Sequence, residues 1–232
     1  MEKAPETGIE ESSSPNTSQD DHKQWIEAQD DLKRRLVTED DFSWKLSKEN
    51  EEEEEALLRY VGGVDISFSK EDTSVACGTL VVLDIQSQDL QVVYHDYYLV
   101  TLTVPYVPGF LAFREAPVLL ELLERMKKNA SPFYPQVLMV DGNGILHPRG
   151  FGLACHLGVL ADLPTIGIGK NAMRSTKGSL KPIFISVGHR LSLVTAITIV
   201  KMTCKYRVPE PTRQADIRSR EYLRKHQTGM SE

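Results

Sequence analysis

The chain has 232 residues, 41% of them hydrophobic, which suits one packed domain with polar tails; it has no N-terminal apolar run of signal-peptide type and no stretch long enough to span a bilayer. Cys77, Cys155 and Cys204 are odd in number and far apart, with no CxxC pair, which speaks against a disulfide framework or a zinc site and for buried thiols in a soluble, intracellular protein. The net charge of -6 would exclude a polyanionic partner only if it were evenly spread, but residues 1–59 hold 18 acids against 8 bases, whereas from Lys170 onward 13 bases face 4 acids. An acidic leader thus masks a basic C-terminal end, which favours a polyanion there, although a merely solvated basic surface has the same composition.

Residues 1–22 are polar and rich in Ser, Glu and Asp; they bury too little to offset ordering entropy and are expected to be disordered. Trp25, Ile26, Leu32 and Leu36 give rough helical spacing over 23–37. The run Glu51–Glu55 reads as a solvated helix start or linker. An ordered core is expected from Tyr60. Tyr60–Phe68, Thr79–Ile85 and Leu90–Leu99 are β-branched, apolar or aromatic and predict three strands, and the short connection Gln86–Asp89 suits an antiparallel hairpin. The period then changes, with Phe110, Phe113, Leu119, Leu122, Leu123 and Met126 forming a helical stripe over 110–128 that ends near Asn129 and Pro132. Gln136–Val140 has the continuous apolar character of a buried central strand. A helix over 152–160, strands over 165–168 and 182–187, and helices over 192–201 and 212–225 follow. Three antiparallel strands and then alternating helices and strands is the order of a ribonuclease H-like α/β fold, a mixed sheet with covered faces.

Three acids stand out. Asp65 lies in a strand otherwise made of Val, Ile and Phe, where a charge is costly unless it is paired or bound to a cation. Asp141 ends the run Gln136–Val140 and precedes Gly142-Asn143-Gly144, the place where α/β sheets put ligands. Glu115 follows on the helix, in Phe110-Leu-Ala-Phe-Arg-Glu. Oxygen ligands of this kind suit Mg²⁺. Taken singly, each has an ordinary explanation as a salt-bridge, turn or surface residue, and together they define a candidate metal site and no more.

At these residues the chain resembles the endonuclease V family, enzymes that cleave strands near inosine. The matching phrases are Gly63-Val-Asp-Ile-Ser-Phe, Pro105-Tyr-Val-Pro-Gly-Phe-Leu-Ala-Phe-Arg-Glu, Val140-Asp-Gly-Asn-Gly and His147-Pro-Arg-Gly. They continue through His156-Leu-Gly, Pro164-Thr-Ile-Gly-Ile-Gly-Lys, Ile185-Ser-Val-Gly-His and Pro209-Glu-Pro-Thr-Arg-Gln-Ala-Asp, in family order. The set is most similar to the animal members, regarded chiefly as inosine-directed ribonucleases; bacterial relatives act on deaminated DNA.

The resemblance implies a nuclease domain over 60–226, behind a helix and acidic linker at 23–59 and before a short tail at 227–232. It implies Asp65, Glu115 and Asp141 as ligands of Mg²⁺, with Mn²⁺ able to substitute. It implies Tyr106, between Pro105 and Pro108, as a wedge that replaces the stacking lost when a base is extruded. Gly142, Asn143, Gly144, Leu146 and His147 would form the pocket for the flipped hypoxanthine. Lys170 would balance phosphate charge or orient the attacking water, Asp216 would assist, and Arg213, Arg218 and Arg220 would contact phosphates. The implied reaction is cleavage of inosine-containing single-stranded RNA at the second phosphodiester 3′ to inosine, leaving 3′-hydroxyl and 5′-phosphate ends. The implied location is cytoplasmic and also nuclear or nucleolar. Two alternatives use the same residues: a DNA repair endonuclease acting on deoxyinosine, and an inosine-RNA-binding protein with a loosened active site. One departure from the family is large. Lys170 is followed at once by Asn171-Ala-Met-Arg-Ser175, without the loop and strand that family members carry there, as in a shortened isoform. The sheet is therefore expected to lose a partner beside the acids and to expose an edge.

Overall fold

The computed structural model describes residues 19–47, 56–170 and 182–227. Six strands form one sheet in the order β3-β2-β1-β4-β5-β6. β1 (Tyr60–Phe68), β2 (Val75–Asp84) and β3 (Gln91–Thr101) are antiparallel neighbours. β4 (Val137–Asp141) and β5 (Thr165–Gly169) add in parallel beside β1, and β6 (Phe184–His189) closes the order antiparallel to β5. This is the ribonuclease H-like arrangement expected of the sequence. Between them run α2 (Leu111–Asn129), α3 (Leu153–Ala161), α4 (Leu193–Thr203) and α5 (Glu210–Gln227), and α1 (Gln19–Lys33) precedes the sheet.

The two-residue period of the strands decides what meets what. In β1 and β4, Val64, Leu138 and Val140 turn to one face and pack with Ala116, Leu119 and Leu122 of α2 and Leu157 of α3. Val61, Val137 and Met139 turn to the other face and meet Trp44, Leu58, Ala196 and Ile199. α5 lies on this second face, where Ala215 packs on Val81 and Leu83 of β2. Gly63 lets it approach, since a Cβ there would lie 2.1 Å from the Pro211 carbonyl. Asp65 and Asp141 fall on the α4/α5 face by the same alternation.

Several boundaries differ from expectation. β2 begins at Val75 rather than Thr79, because Val-Ala-Cys-Gly is held between β1 and β3 despite its weak strand propensity. β3, β4 and β6 run one or two residues further than their sequence patterns. α1 covers 19–33 rather than 23–37. Its first residues, Gln19–His22, belonged to the tail expected to be disordered, and the rest of that tail and Glu51–Glu55 lie outside the described residues. The ordered core does not begin at Tyr60, because Trp44 and Leu58 are buried in it. Cys77 and Cys155 are buried thiols, pushed up by burial to about 11 and about 12, whereas Cys204 is only half-buried. Among the described residues no helix is long and apolar enough to cross a membrane.

Candidate active site

Asp65 near the end of β1, Asp141 at the end of β4 and Asp216 on α5 offer carboxylate oxygens that all lie within 4.8 Å of one another. They floor a trough of about 630 Å³ that also takes in Lys170, Asn143 and Arg220. Lys170 follows β5 directly; its Nζ donates to Asp141 and lies 3.9 Å from Asp216 Oδ2. Arg220, one turn along α5, pairs with Asp216 at 2.6 Å.

Asp65 is buried, and Ser219 Oγ donates to its Oδ2 at 3.0 Å. Ser67 Oγ lies 2.6 Å from Ser219 Oγ and 3.3 Å from the same carboxylate oxygen. Burial, reinforced by Asp141 and opposed by Lys170, still pushes the Asp65 carboxyl up to about 7. Glu115 is raised to about 8, first by burial and then by the charge of Asp65. These buried carboxyls have too little positive charge around them. An all-oxygen donor set short of counter-charge fits a hard divalent cation such as Mg²⁺.

The tight cluster is not the one expected. Asp216, given an assisting part by the resemblance, joins Asp65 and Asp141, while Glu115 stands to one side. The cause is the sheet: α5 covers the face to which Asp65 and Asp141 turn, whereas α2 covers the other and brings Glu115 over the strand ends. Glu115 lines a second cavity of about 230 Å³ that shares Asp141, Gly142 and Asn143 with the trough.

Tyr106, 63% exposed, and His147 also line this second cavity. His147 Nδ1 accepts from Arg149 N at 3.2 Å, and burial lowers its imidazole's basicity. Gly144 is buried behind the loop, Leu146 is 57% exposed, and neither lines a wall; nor do Pro105 and Pro108. Arg213 is engaged elsewhere, donating to Glu210 at 2.7 Å with its guanidinium over the Tyr206 ring.

Four functional positions escaped the sequence reading. Ser67 and Ser219 steady Asp65; each lay within reach of a rule, Ser67 two residues along the same strand face and Ser219 one helical turn beyond Asp216. Ser186 on β6 accepts from Gly144 N at 3.1 Å and Leu146 N at 3.0 Å, docking the cavity loop on the sheet. The loop sits so close that a Cβ on Gly144 would lie 1.9 Å from Val187 O. Gln29 lines the second cavity from α1.

A ribonuclease H-like sheet with carboxylates gathered at the ends of its central strands is the arrangement that a nuclease of the cation-assisted class requires. A family model described as Endonuclease V matches residues 40–178 and 171–217, in two pieces that overlap just after Lys170. The chain belongs to the endonuclease V family. It is 45% identical to mouse endonuclease V over 207 residues, 72% of this chain and 61% of that protein's length. It is equally identical to the human protein over 72% of this chain and 73% of that one. The crystal structure of the human catalytic domain superposes with a TM-score of 0.81 at 38% identity, covering 92% of this chain and 100% of that one. A Ciona intestinalis endonuclease V, solved with a 23mer DNA containing an inosine followed by a ribo-adenosine, gives 0.78 at 31% identity over 90% and 99%.

Proposed function

We propose that the chain is a Mg²⁺-dependent endoribonuclease that cuts single-stranded RNA at the second phosphodiester 3′ to inosine, leaving 3′-hydroxyl and 5′-phosphate ends. The observation that carries this reading is the cluster of Asp65, Asp141 and Asp216 beside Lys170, next to a separate cavity that an exposed Tyr106 overlooks. The Ciona complex holds a DNA strand with a ribo-adenosine after its inosine, and that one ribonucleotide supports the choice of RNA as the substrate to test first.

Asp65 and Asp141 would hold the ion, with Glu115 and Asp216 reaching it from either face of the sheet. A bound divalent ion polarises the phosphoryl oxygen and makes a bound water a stronger nucleophile. Ser67 and Ser219 keep Asp65 oriented. Lys170, which pairs with Asp141 here, would be free to offer its ammonium to a phosphate once Asp141 holds a cation. Tyr106 stacks in place of the extruded base, which enters the second cavity beside His147.

Cleavage of a single-stranded RNA with one inosine, against its DNA counterpart, tests the reading. With Mg²⁺ or Mn²⁺ the RNA is cut once, at the stated position, and EDTA stops the reaction. Asp141→Ala lowers the rate by about 10²–10³-fold, the scale of a lost electrostatic contact to the transition state. Cleavage unchanged by Asp141→Ala defeats the catalytic reading, and preferential cutting of the DNA moves the substrate to deoxyinosine.

A further inference from the structure

α1 precedes residue 40, where the family match begins, yet one of its side chains lies in the wall of the second cavity. Gln29 is 1% exposed. Its Nε2 donates to Phe151 O at 3.1 Å and to Gly109 O at 3.4 Å, and its Oε1 accepts from Arg149 Nε. A carboxamide has two N–H groups and one carbonyl oxygen to offer, and here all are spent on two loops remote in sequence and none on its own helix. Gly109 belongs to the loop that carries Tyr106; Arg149 and Phe151 belong to the loop that runs on from Gly142 and His147.

Neighbouring groups on α1 strengthen the tie without replacing it. Lys33 Nζ donates to Arg149 O at 2.9 Å, and Asp30 lies 3.6 Å from the Arg149 guanidinium. The Trp25 ring stacks on Phe113 of α2 at 5.5 Å, and His22 meets Phe110 edge-on at 4.8 Å. These contacts fasten the helix. Among the described side chains of α1, Gln29 is the one that reaches both loops at once and faces the cavity.

Resting on the function proposed above, we infer that Gln29 is a positioning residue that fixes the spacing between the wedge loop and the base-pocket loop. It thereby governs how well the cavity tells hypoxanthine from guanine, which differs by one exocyclic amine. A purine edge is read by backbone groups of these loops only while they stand at the right separation. A spacing change weakens capture of the base in ground and transition states alike, so the loss falls on KM rather than kcat.

The test uses the full chain, two RNAs differing only in inosine or guanosine at one position, and the variants Gln29→Leu and Gln29→Glu. Leu keeps bulk and helix propensity but makes no hydrogen bond; Glu keeps the acceptor for Arg149 but loses both donors. Each variant is expected to raise KM for the inosine RNA about tenfold, the scale of one or two buried hydrogen bonds. Each should keep kcat within about twofold and narrow the inosine-to-guanosine ratio in kcat/KM. A merely structural brace predicts the opposite split, with lower kcat, a lower melting temperature and an unchanged ratio, and that result overturns the inference. If the parent chain itself does not prefer inosine, the proposed function falls and this inference with it. If the parent prefers inosine and either variant does so equally, the inference alone falls.

Discussion

Gly63→Ala is the sharpest probe of how the fold holds the acids. Gly63 lies on the strand face that α5 covers, two residues before Asp65. A Cβ there would stand 2.1 Å from both the carbonyl carbon and oxygen of Pro211, against the 3.4 Å at which ordinary contact begins, so strand and helix must part by about 1.3 Å. The obstacle is backbone, with no rotamer to turn aside. Such overpacking costs about 1–3 kcal/mol. The displaced helix also carries Asp216 and Ser219, the second of which donates to Asp65 at 3.0 Å. Misplacing reacting groups by about 1 Å costs on the order of 10²-fold in rate. We therefore expect a lower melting temperature and, well below that temperature, a single-turnover cleavage rate reduced about a hundredfold with Mg²⁺ saturating. A variant that melts early but cleaves within threefold of the parent would show that α5 is not what places Asp216. A variant unchanged in both would refute the close packing itself.

Glu115→Gln replaces a buried carboxyl, close to the charges of Asp65 and Asp141, that folding must keep protonated up to about pH 8, a cost the amide does not carry. In EDTA the variant should therefore melt higher than the parent, while the rise in melting temperature on adding Mg²⁺ shrinks; a fall in EDTA would mean that Glu115 is already compensated. His156 is buried against Phe113, its Nδ1 has no hydrogen-bond partner, and burial lowers its pKa from 6.5 to about 4. The folded state thus refuses a proton that the unfolded chain accepts, so stability is lost as pH falls from 6.5 towards 4, by about 3 kcal/mol in all. His156→Leu should flatten the urea-melt stability between pH 7 and pH 5, and an unaltered pH slope would assign the acid sensitivity to other groups.

What could be read in the sequence was what local pattern encodes. Apolar and β-branched runs marked β1 and β4, and an acid at the end of such a run is conspicuous because burying it is costly; Asp65 and Asp141 follow directly. Lys170 is legible as the residue after a short strand. Glu115 and Asp216 were both visible, but their ranking was not, since it depends on which sheet face each helix covers. Ser67, Ser186, Ser219 and Gln29 are common polar residues whose partners lie far along the chain. Ser219 meets Asp65 across 154 residues and Gln29 meets Phe151 across 122, and no period or propensity carries that information.

The connection between β5 and β6 bears on the site unevenly. Asp65, Asp141 and Asp216 come from β1, β4 and α5, none of which adjoins it. β5 keeps a partner on both sides, β4 at Leu138–Asp141 and β6 from Gly169↔Phe184 to Thr165↔His189, so among the described residues the strands beside the acids are paired and the sheet ends at β3 and β6. β6 is also tied inward. Ser186 takes two N–H groups of the cavity loop, Val187 O accepts from Ile145 N at 2.9 Å, and Cys155 Sγ of α3 lies 3.7 Å from that oxygen. The elements that flank the connection are thus Lys170, which pairs with Asp141, and the strand on which the loop from Gly144 to Leu146 rests. Changes in this connection should therefore reach Lys170 and the loop held by β6 before they reach the three carboxylates, and cation binding should survive changes in this segment that weaken cleavage.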